Sequence, residues 1–591
     1  MPISSNKMSR KGLNLNILQL FIKLLPVQIF LVITSGISDT VNGLLIGNCL
    51  KSSSMVALCM SAPLSAFLGS VASIISSGAG ILCGQYMGRG ETDKVEKVFS
   101  VSVIMSFVSG SILTVLCFLF ATPIAQLLGA KGELIAETAT YIRGTSFGIL
   151  PLLMIPCLMS FLQMCNRSMI SLLATILLAV FNTLFGLLNA NVFHGGLFGF
   201  ALVGSLSKIL SVAFIVFYFL SHRDMIRFNP KTFDFNTAKE ILIIGSPSSL
   251  AGILYSIRNV FINSSASAIG GNPAVNALGI LGSCDVFFDC FNVGVGNSLT
   301  MLASVFIGER DSRSLKELMK IAFVIGMAFC AMKLIVAKLF GADIAMLFGA
   351  QGEAVDLGKQ LLFYYCLCAP FNILTLIFMG TYQSLGRAAY CNLLYPVNCI
   401  ITPFICCMFL AKAIGIRGVW MCYMLAEIVT LICMFIYASN KKKGIVKNVD
   451  DMLFLDHNFD TENKLTFSID QIEEVVDVSR KIQDFCKENG IDKKRAMLSG
   501  LCMEEMAGNI VEHGFTKDNK NHLIDVFACV EKNEVLLRLR DNCIPFDPHS
   551  RLEMYDKKDP AKNIGIRMVS RIAREMNYQT TFGMNVLSIM L

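Results

Sequence analysis

Glu505, Asn509 and His513 stand four residues apart within Leu501–Gly514, and on a helix they form one stripe. A carboxylate, an amide and an imidazole in line do not make an apolar core face. An Asn oxygen can ligate Mg2+, and a Glu can orient or deprotonate an attacking hydroxyl, so the pair suits chemistry on a bound phosphate. Downstream, Leu539–Pro548 reads as a strand that ends in an acidic turn containing Asp541. Asn563–Val569 then places Gly565 at a helix start, where free backbone N–H groups favour phosphate. A second set of groups lies inside long apolar runs: Asp39, Asp285, Asp289 and Glu427, with Lys208, Arg258 and Lys333 as basic counterparts. Ionised groups at bilayer depth are expensive, which makes these acids candidate H+ or Na+ sites whose charge state shifts the helices. Asp285 and Asp289 share a helical face. A solvated helix face for the first set, and structural ion pairs for the second, are the alternatives.

The elements that must position these groups follow from composition. Of 591 residues, 54% are hydrophobic and only 16% charged, with 43 Phe and 30 Met, and the mean hydropathy is +0.61. Such a chain belongs in a lipid bilayer. Twelve runs are long enough to span it, at 20–47, 54–82, 98–120, 138–164, 168–190, 197–221, 240–269, 274–306, 320–341, 356–384, 390–411 and 415–438. Basic residues alternate between the connecting loops. Arg89, Lys94 and Lys97, then Arg167, then Arg223, Arg227 and Lys231, then Arg310, Arg313, Lys316 and Lys320, then Arg387 fall on the side of Lys441–Lys443. The positive-inside rule therefore predicts a multi-pass plasma (inner) membrane protein with both termini cytoplasmic. The same clustering accounts for the formal charge of +7 without a nucleic-acid partner. The 21 Cys lie mostly in apolar runs, lack paired metal-ligand spacing, and read as free buried thiols in a reducing setting. No signal peptide is expected.

The segment Ile124–Glu133 returns almost unchanged as Ile344–Glu353, 220 residues on. The same offset carries Gln163 to Gln383, Arg167 to Arg387, Gly88 to Gly308 and Gly195 to Gly415. This predicts two six-span repeats, about 15–222 and 235–440, within a membrane domain of residues 1–440. Asn259 occupies the duplicate position of Asp39, so that site keeps a polar group without the charge. A linker at 441–455 leads to a soluble domain, 456–591. Helices are predicted at 469–489, with Ile472, Val475, Val476, Ile482 and Phe485 on one face, at 493–512 and at 564–576. Strands are predicted at 523–530, 535–539 and 586–591.

Asp39-Thr-Val-Asn-Gly-Leu-Leu-Ile-Gly47, Gly84-Gln-Tyr-Met-Gly-Arg-Gly90 and the Arg167 and Arg387 loops, together with the duplicated halves, resemble the multidrug and toxin extrusion (MATE) transporters. The resemblance implies a V-shaped, two-lobed bundle that exports organic, often cationic, compounds in exchange for H+ or Na+. It makes an acid of the first span a coupling residue, and Asp39 matches it. Some members carry a second acid in the fifth span, where this chain has Asn182. The soluble half resembles the GHKL ATP-binding fold in its anti-sigma-factor serine kinase branch. By that resemblance Glu505 is the catalytic base, Asn509 the Mg2+ ligand, Asp541 the acid that hydrogen-bonds the adenine amino group, and Gly565 a phosphate-side glycine. Cys543-Ile544-Pro545 and Asn563 stand where relatives often have Gly.

The expected fold is thus an all-α bundle of twelve transmembrane helices in two repeats, plus a cytoplasmic α/β sandwich. The expected function is cation-coupled export of a small organic substrate across the lipid bilayer. The second domain would use ATP with Mg2+, as a sensor or as a Ser/Thr kinase for an anti-sigma-antagonist-type protein. A membrane-anchored regulatory kinase and a polysaccharide or lipid-precursor flippase of the same superfamily are the alternatives. No G-x-x-x-x-G-K-[ST] pattern occurs, so ATP is not expected to drive transport directly.

Overall fold

A computed structural model describes residues 15–50, 52–222, 226–348, 350–455, 464–515, 522–531, 533–548 and 564–591; the side chains of 15, 39, 48, 52 and 531 lie outside the described residues. The chain forms two compact units. One comprises Lys23–Glu309 and Leu318–Phe454; the other comprises Leu455–Leu591 with Arg310–Glu317 and the chain up to Ile22.

The helices of the first repeat are α1 (Leu15–Cys49), α2 (Ser52–Arg89), α3 (Thr92–Leu119), α4 (Ala121–Leu127), α5 (Glu133–Ser146), α6 (Ile149–Met164), α7 (Ser168–Leu188) and α8 (Gly196–Ser221). Those of the second are α9 (Phe235–Gly308), α10 (Ser312–Leu347), α11 (Glu353–Ser384), α12 (Ala388–Pro396), α13 (Thr402–Ile405), α14 (Ala411–Ile414), α15 (Ile416–Trp420) and α16 (Cys422–Lys442). Ten of the described helical stretches are long and apolar enough to cross a membrane, and the pair α5 and α6, bent by 44°, makes an eleventh span. The 74-residue α9 breaks at Gly271, whose φ of 59° and ψ of −153° leave the helix, so it divides into the seventh and eighth predicted runs.

The duplication is visible in the backbone. Left-handed φ values recur 220 residues apart at Gly132 and Gly352, at Asn166 and Gly386, and at Gly90 and Arg310. Farther on the register slips. Gly196, not Gly195, takes the left-handed turn that Gly415 takes in the second repeat. The slip falls where the repeats carry different π-helical turns, Asn189–Phe193 in the first and Val397–Ile401 with Cys406–Leu410 in the second.

Packing along α3 is inside out. Helix α3 buries Ser100, Ser102, Ser106 and Gly110 and exposes Phe107, Ile112, Val115 and Leu119. Lipid solvates large apolar side chains as well as a core does, so helices associate through small residues that let backbones approach. The closest approach joins α2 to α9. A Cβ on Gly78 would lie 1.9 Å from the Ile241 carbonyl oxygen, and one on Gly245 would lie 1.8 Å from that of Ile74. Gly78→Val or Gly245→Val is therefore expected to lower the melting temperature of the purified chain, at a cost of at least the ~1–3 kcal/mol typical of overpacking. Gly69→Ala on the same α2, where nothing lies within 4 Å, should not lower it.

The other unit is an antiparallel five-stranded sheet with helices on one face. Its strands are β1 (Lys464–Ile469), β2 (Ile524–Glu531), β3 (Glu534–Asp541), β4 (Glu575–Thr581) and β5 (Met584–Met590), in the order β1-β2-β3-β5-β4. Helix α17 (Val449–Leu453) closes the first unit, and the helices of this one are α18 (Glu473–Glu488), α19 (Lys493–Gly514) and α20 (Ile564–Ile572). The core joins Val526, Ala528, Leu537, Leu539 and Ile589 of the sheet to Val475, Val478, Ile482, Met503, Met506 and Ile510 of the helices.

Three local expectations change. Ile469 ends β1 instead of opening a helix, and Ile472 and Val476 are exposed, the buried stripe of α18 being Val475, Val478 and Ile482. The predicted helix 564–576 stops at Ile572, because Glu575–Thr581 is a strand. That strand has no apolar run to announce it. It pairs with β5 through a two-residue turn in which Phe582 (φ 53°) and Gly583 (φ 85°) both take the left-handed backbone suited to tight hairpins.

Candidate functional site

In the second membrane lobe charged residues of α9, α10 and α16 lie with polar residues of α11. Asp289 of α9 accepts a 2.5 Å hydrogen bond from the Tyr365 hydroxyl of α11, and Lys333 of α10 and Arg258 of α9 are the basic groups in the spans of the same lobe. Lys333 is buried. The Arg258 guanidinium lies 4.7 Å above the Tyr255 ring and 5.3 Å from that of Tyr423, which suits a cation held by aromatic faces. Asp285, one turn before Asp289, is half-buried. Glu427 of α16 is only 4% exposed. Its Oε1 accepts from Asn372 Nδ2 at 3.1 Å, and Asn372 Oδ1 accepts from Asn292 Nδ2 at 3.0 Å. Glu427 Oε2 and Arg258 Nε are buried with no hydrogen-bond partner among the described residues. A buried carboxylate oxygen in that state is an open acceptor for a proton or a cation. Beside the Gly271 break, an open groove is lined by Asn263, Ser264, Ser267, Ala268, Val275, Leu278 and Gly279, all exposed except Leu278.

In the first lobe the backbone of Asp39 lies within α1. Its side chain is outside the described residues. Asn182 of α7 is buried and donates from Nδ2 to the carbonyl of Ser38 at 3.2 Å, so the fifth span meets the first one residue from Asp39. Asn259 is exposed. The repeat-related glutamines are both buried polar anchors. Gln163 accepts from Gln28 at 2.6 Å, and Gln383 donates to Ser77 and Ser248 at 3.0 Å and to the Ile244 carbonyl at 2.9 Å.

In the sheet-bearing unit, α19 and β3 carry the predicted groups. Glu505 and Asn509 are half-buried on α19, while His513 is exposed. A Cβ on Gly565 would sit 2.1 Å from Glu505 Oε2, so the absent side chain at the start of α20 leaves the space into which the carboxylate points. Asp541, buried at the end of β3, accepts at Oδ1 from Asn585 Nδ2 (2.8 Å) and from the Cys543 N–H (2.9 Å). Asn585, opposite it on β5, also donates to the Cys543 carbonyl at 3.0 Å and accepts from the Tyr578 hydroxyl at 3.0 Å. Burial pushes the Asp541 carboxyl above its ordinary value of 3.8 against the pull of these bonds.

This set fits a nucleotide with its Mg2+. A fixed, buried acceptor at Asp541 suits an amino-bearing base, Asn509 offers a metal-ligand oxygen, and the start of α20 beside Gly565 offers a phosphate seat. Asn563 lies outside the described residues. All 21 cysteines are free and most are buried, as composition implied. Among the described residues no cluster of His, Cys, Asp and Glu is arranged to hold a metal ion.

Comparison with known proteins resolves the membrane half. The MatE family model matches residues 26–188 and 247–403, more than half of the chain. The chain belongs to the MATE family. The histidine kinase-like ATPase domain model matches residues 470–591. The Multidrug export protein MepA of Staphylococcus aureus (strain bovine RF122 / ET3-1) is 23% identical over 382 residues, covering 64% of this chain and 84% of that protein. MepA of Staphylococcus haemolyticus (strain JCSC1435) is 23% identical over 391 residues, covering 66% and 86%. Among solved structures, an outward-facing MATE multidrug resistance transporter of the MOP superfamily superposes with a TM-score of 0.68 at 18% identity, covering 74% of this chain and 98% of that one. A MOP superfamily transporter from Pyrococcus furiosus gives 0.66 at 19% identity, covering 72% and 96%. These structures share the MATE fold.

Within this MATE protein, Tyr365, Asn372 and Asn292 of the membrane cluster, and Asn585 and Tyr578 of the candidate nucleotide site, carry no signal in the sequence. A lone Tyr or Asn in an apolar run signals nothing until the helix it faces is known. Asn585 is found only once the β3–β5 register puts it opposite Asp541.

Proposed function

We propose that this MATE protein is a cation-coupled exporter of small organic compounds, with H+ or Na+ as the returning ion, and that its ATPase domain binds ATP with Mg2+ and regulates export. The observation that carries this reading is the second-lobe cluster, in which Tyr365 holds Asp289 and the buried Glu427 keeps one oxygen without a hydrogen-bond partner among the described residues. Acids kept at depth among cations exchange a proton or ion by exchanging partners, and the helices that carry them shift with the exchange. Asp39, Asp285, Asp289 and Glu427 outnumber the bases Lys208, Arg258 and Lys333 by four to three, which favours a cationic cargo. The naming of MepA as a multidrug export protein supports an organic one. Loop charges favour cytoplasmic termini in the inner membrane, where ATP is at hand. In this reading residues 1–440 transport, 441–455 link and 456–591 bind nucleotide.

A second use of the ATPase domain, phosphate transfer to an anti-sigma-antagonist-type protein, is favoured by Glu505 Oε2 standing against Gly565. A base there can take the proton of an attacking Ser or Thr hydroxyl.

The test is retention of a cationic dye by cells expressing the wild-type chain or Asp39→Asn. The wild type should lower retention and the variant should not. Equal retention of a range of such dyes by both would remove drug export from the account.

A further inference from the structure

In the sheet-bearing unit the sheet has a second face, away from α18, α19 and α20. There the unit takes in Arg310–Glu317 and the start of α1. Asp311 caps α10. Its Oδ1 accepts the Ser314 N–H at 2.9 Å and its Oδ2 accepts the Ser314 hydroxyl at 2.5 Å. The same Oδ2 is 3.4 Å from the guanidinium of Arg540 on β3, and the side chains of this pair are only 6% and 11% exposed. Around it, Arg313 donates to Thr466 Oγ1 at 2.8 Å, Lys464 Nζ donates to the Arg310 carbonyl at 3.1 Å, and Asn16 Nδ2 donates to Asp525 Oδ2 at 3.1 Å.

The duplication supplies an internal control. Glu91 stands 220 residues before Asp311, in the turn of the first repeat. It pairs with Lys94, three residues on, at 2.7 Å, and the two side chains are 34% and 54% exposed. Gly90 takes the left-handed backbone of the first turn (φ 76°); Arg310 takes it in the second (φ 55°), although left-handed backbone is disfavoured for a residue with a Cβ. One copy keeps an exposed local ion pair on a glycine turn. The other keeps a buried pair to a distant strand on a strained arginine turn, and a buried ion pair offsets its desolvation only when geometry and extra hydrogen bonds are good.

Arg540 and Asp541 are successive residues of β3, so their side chains leave opposite faces of the sheet. Asp541 serves the candidate nucleotide site and Arg540 clasps Asp311. We propose that nucleotide occupancy at Asp541 is transmitted through β3 and Arg540 to the Asp311 turn, making ATP an allosteric effector of export and not its fuel. This deepens the regulatory reading above and rests on it. Helix α10 begins at Ser312, on the clasped turn, and continues to Leu347 as a membrane span. A change in the clasp is therefore a change at the end of a transport helix. Coupling of this kind is reciprocal, and typical coupling energies correspond to about 5- to 150-fold effects.

The test uses the full chain in lipid vesicles, a fluorescent non-hydrolysable ATP analogue with Mg2+, and export of a cationic dye. In the wild type and in Glu91→Gln, saturating analogue should change the apparent affinity for the exported dye by at least about fivefold. In Asp311→Asn the analogue should still bind while the export response disappears. Hydrogen exchange of residues 310–317 in the wild type is read in parallel, so that a poorly folded variant does not leave the matter open; nucleotide should change it. A wild-type response in folded Asp311→Asn, or exchange at 310–317 that ignores bound analogue, overturns the coupling and leaves the nucleotide-sensor reading standing. Failure of the wild type to bind the analogue removes that reading and the coupling with it.

Discussion

Replacing Asp289 by Asn is expected to abolish uphill export while leaving a folded protein. One ion moving down a driving force equivalent to 100 mV supplies about 2.3 kcal/mol, enough for a cargo concentration ratio of about fiftyfold. Without the titratable carboxylate that ratio should fall to near one. Asn still accepts the Tyr365 hydrogen bond, so the geometry at α11 persists. What is lost is the negative charge. The readout is the steady-state dye ratio across vesicles under an imposed ion gradient. Tyr365→Phe removes only the hydrogen bond and should lower the ratio less. A full ratio in Asp289→Asn would move the coupling site elsewhere.

The second large effect is at Asp541. Asp541→Asn should weaken ATP binding by about 10- to 100-fold, because a hydrogen bond to a charged acceptor is worth about 1.5–3 kcal/mol and the amide can turn a donor toward the base. The same change should make the nucleotide-free protein more stable at neutral pH. The Asp541 carboxyl titrates above its ordinary 3.8 because it is buried. A group raised in the folded state contributes stability that is fully present below the unfolded value and lost as pH rises through the folded one. At neutral pH the ionised carboxylate is therefore a net cost that Asn removes. Titration of a fluorescent ATP analogue and thermal melting of the full-length wild type and variant check both signs. Tighter binding, or a lower melting temperature without nucleotide, would contradict the assignment.

Much of this architecture was legible before any coordinates, for identifiable reasons. Bilayer thickness forces runs of about 20 apolar residues, so the spans could be counted. Duplication left Ile124–Glu133 and Ile344–Glu353 nearly identical, so the two lobes could be paired. Charged residues in apolar runs advertise themselves, which is why Asp285, Asp289, Glu427, Arg258 and Lys333 were all named from sequence. The neutral partners were not legible. Tyr365, Asn372 and Asn585 acquire a role only from what faces them across helices or strands. Strand β4, Glu-Met-Asn-Tyr-Gln-Thr-Thr, lacks an apolar period and exists because its hairpin partner β5 is firmly buried. Arg540 carries no signal in the sequence, because its partner Asp311 lies 229 residues away in a loop marked only by its basic residues.

The most direct measurement of the central claim is ion flux driven by cargo. Vesicles containing the purified chain are loaded with a cationic dye and diluted, and internal pH and radioactive Na+ are followed without any imposed ion gradient. Dye efflux should draw H+ or Na+ inward in the wild type, and Asp289→Asn should show no such counterflow. Efflux of dye by the wild type with neither ion moving in return would contradict the account.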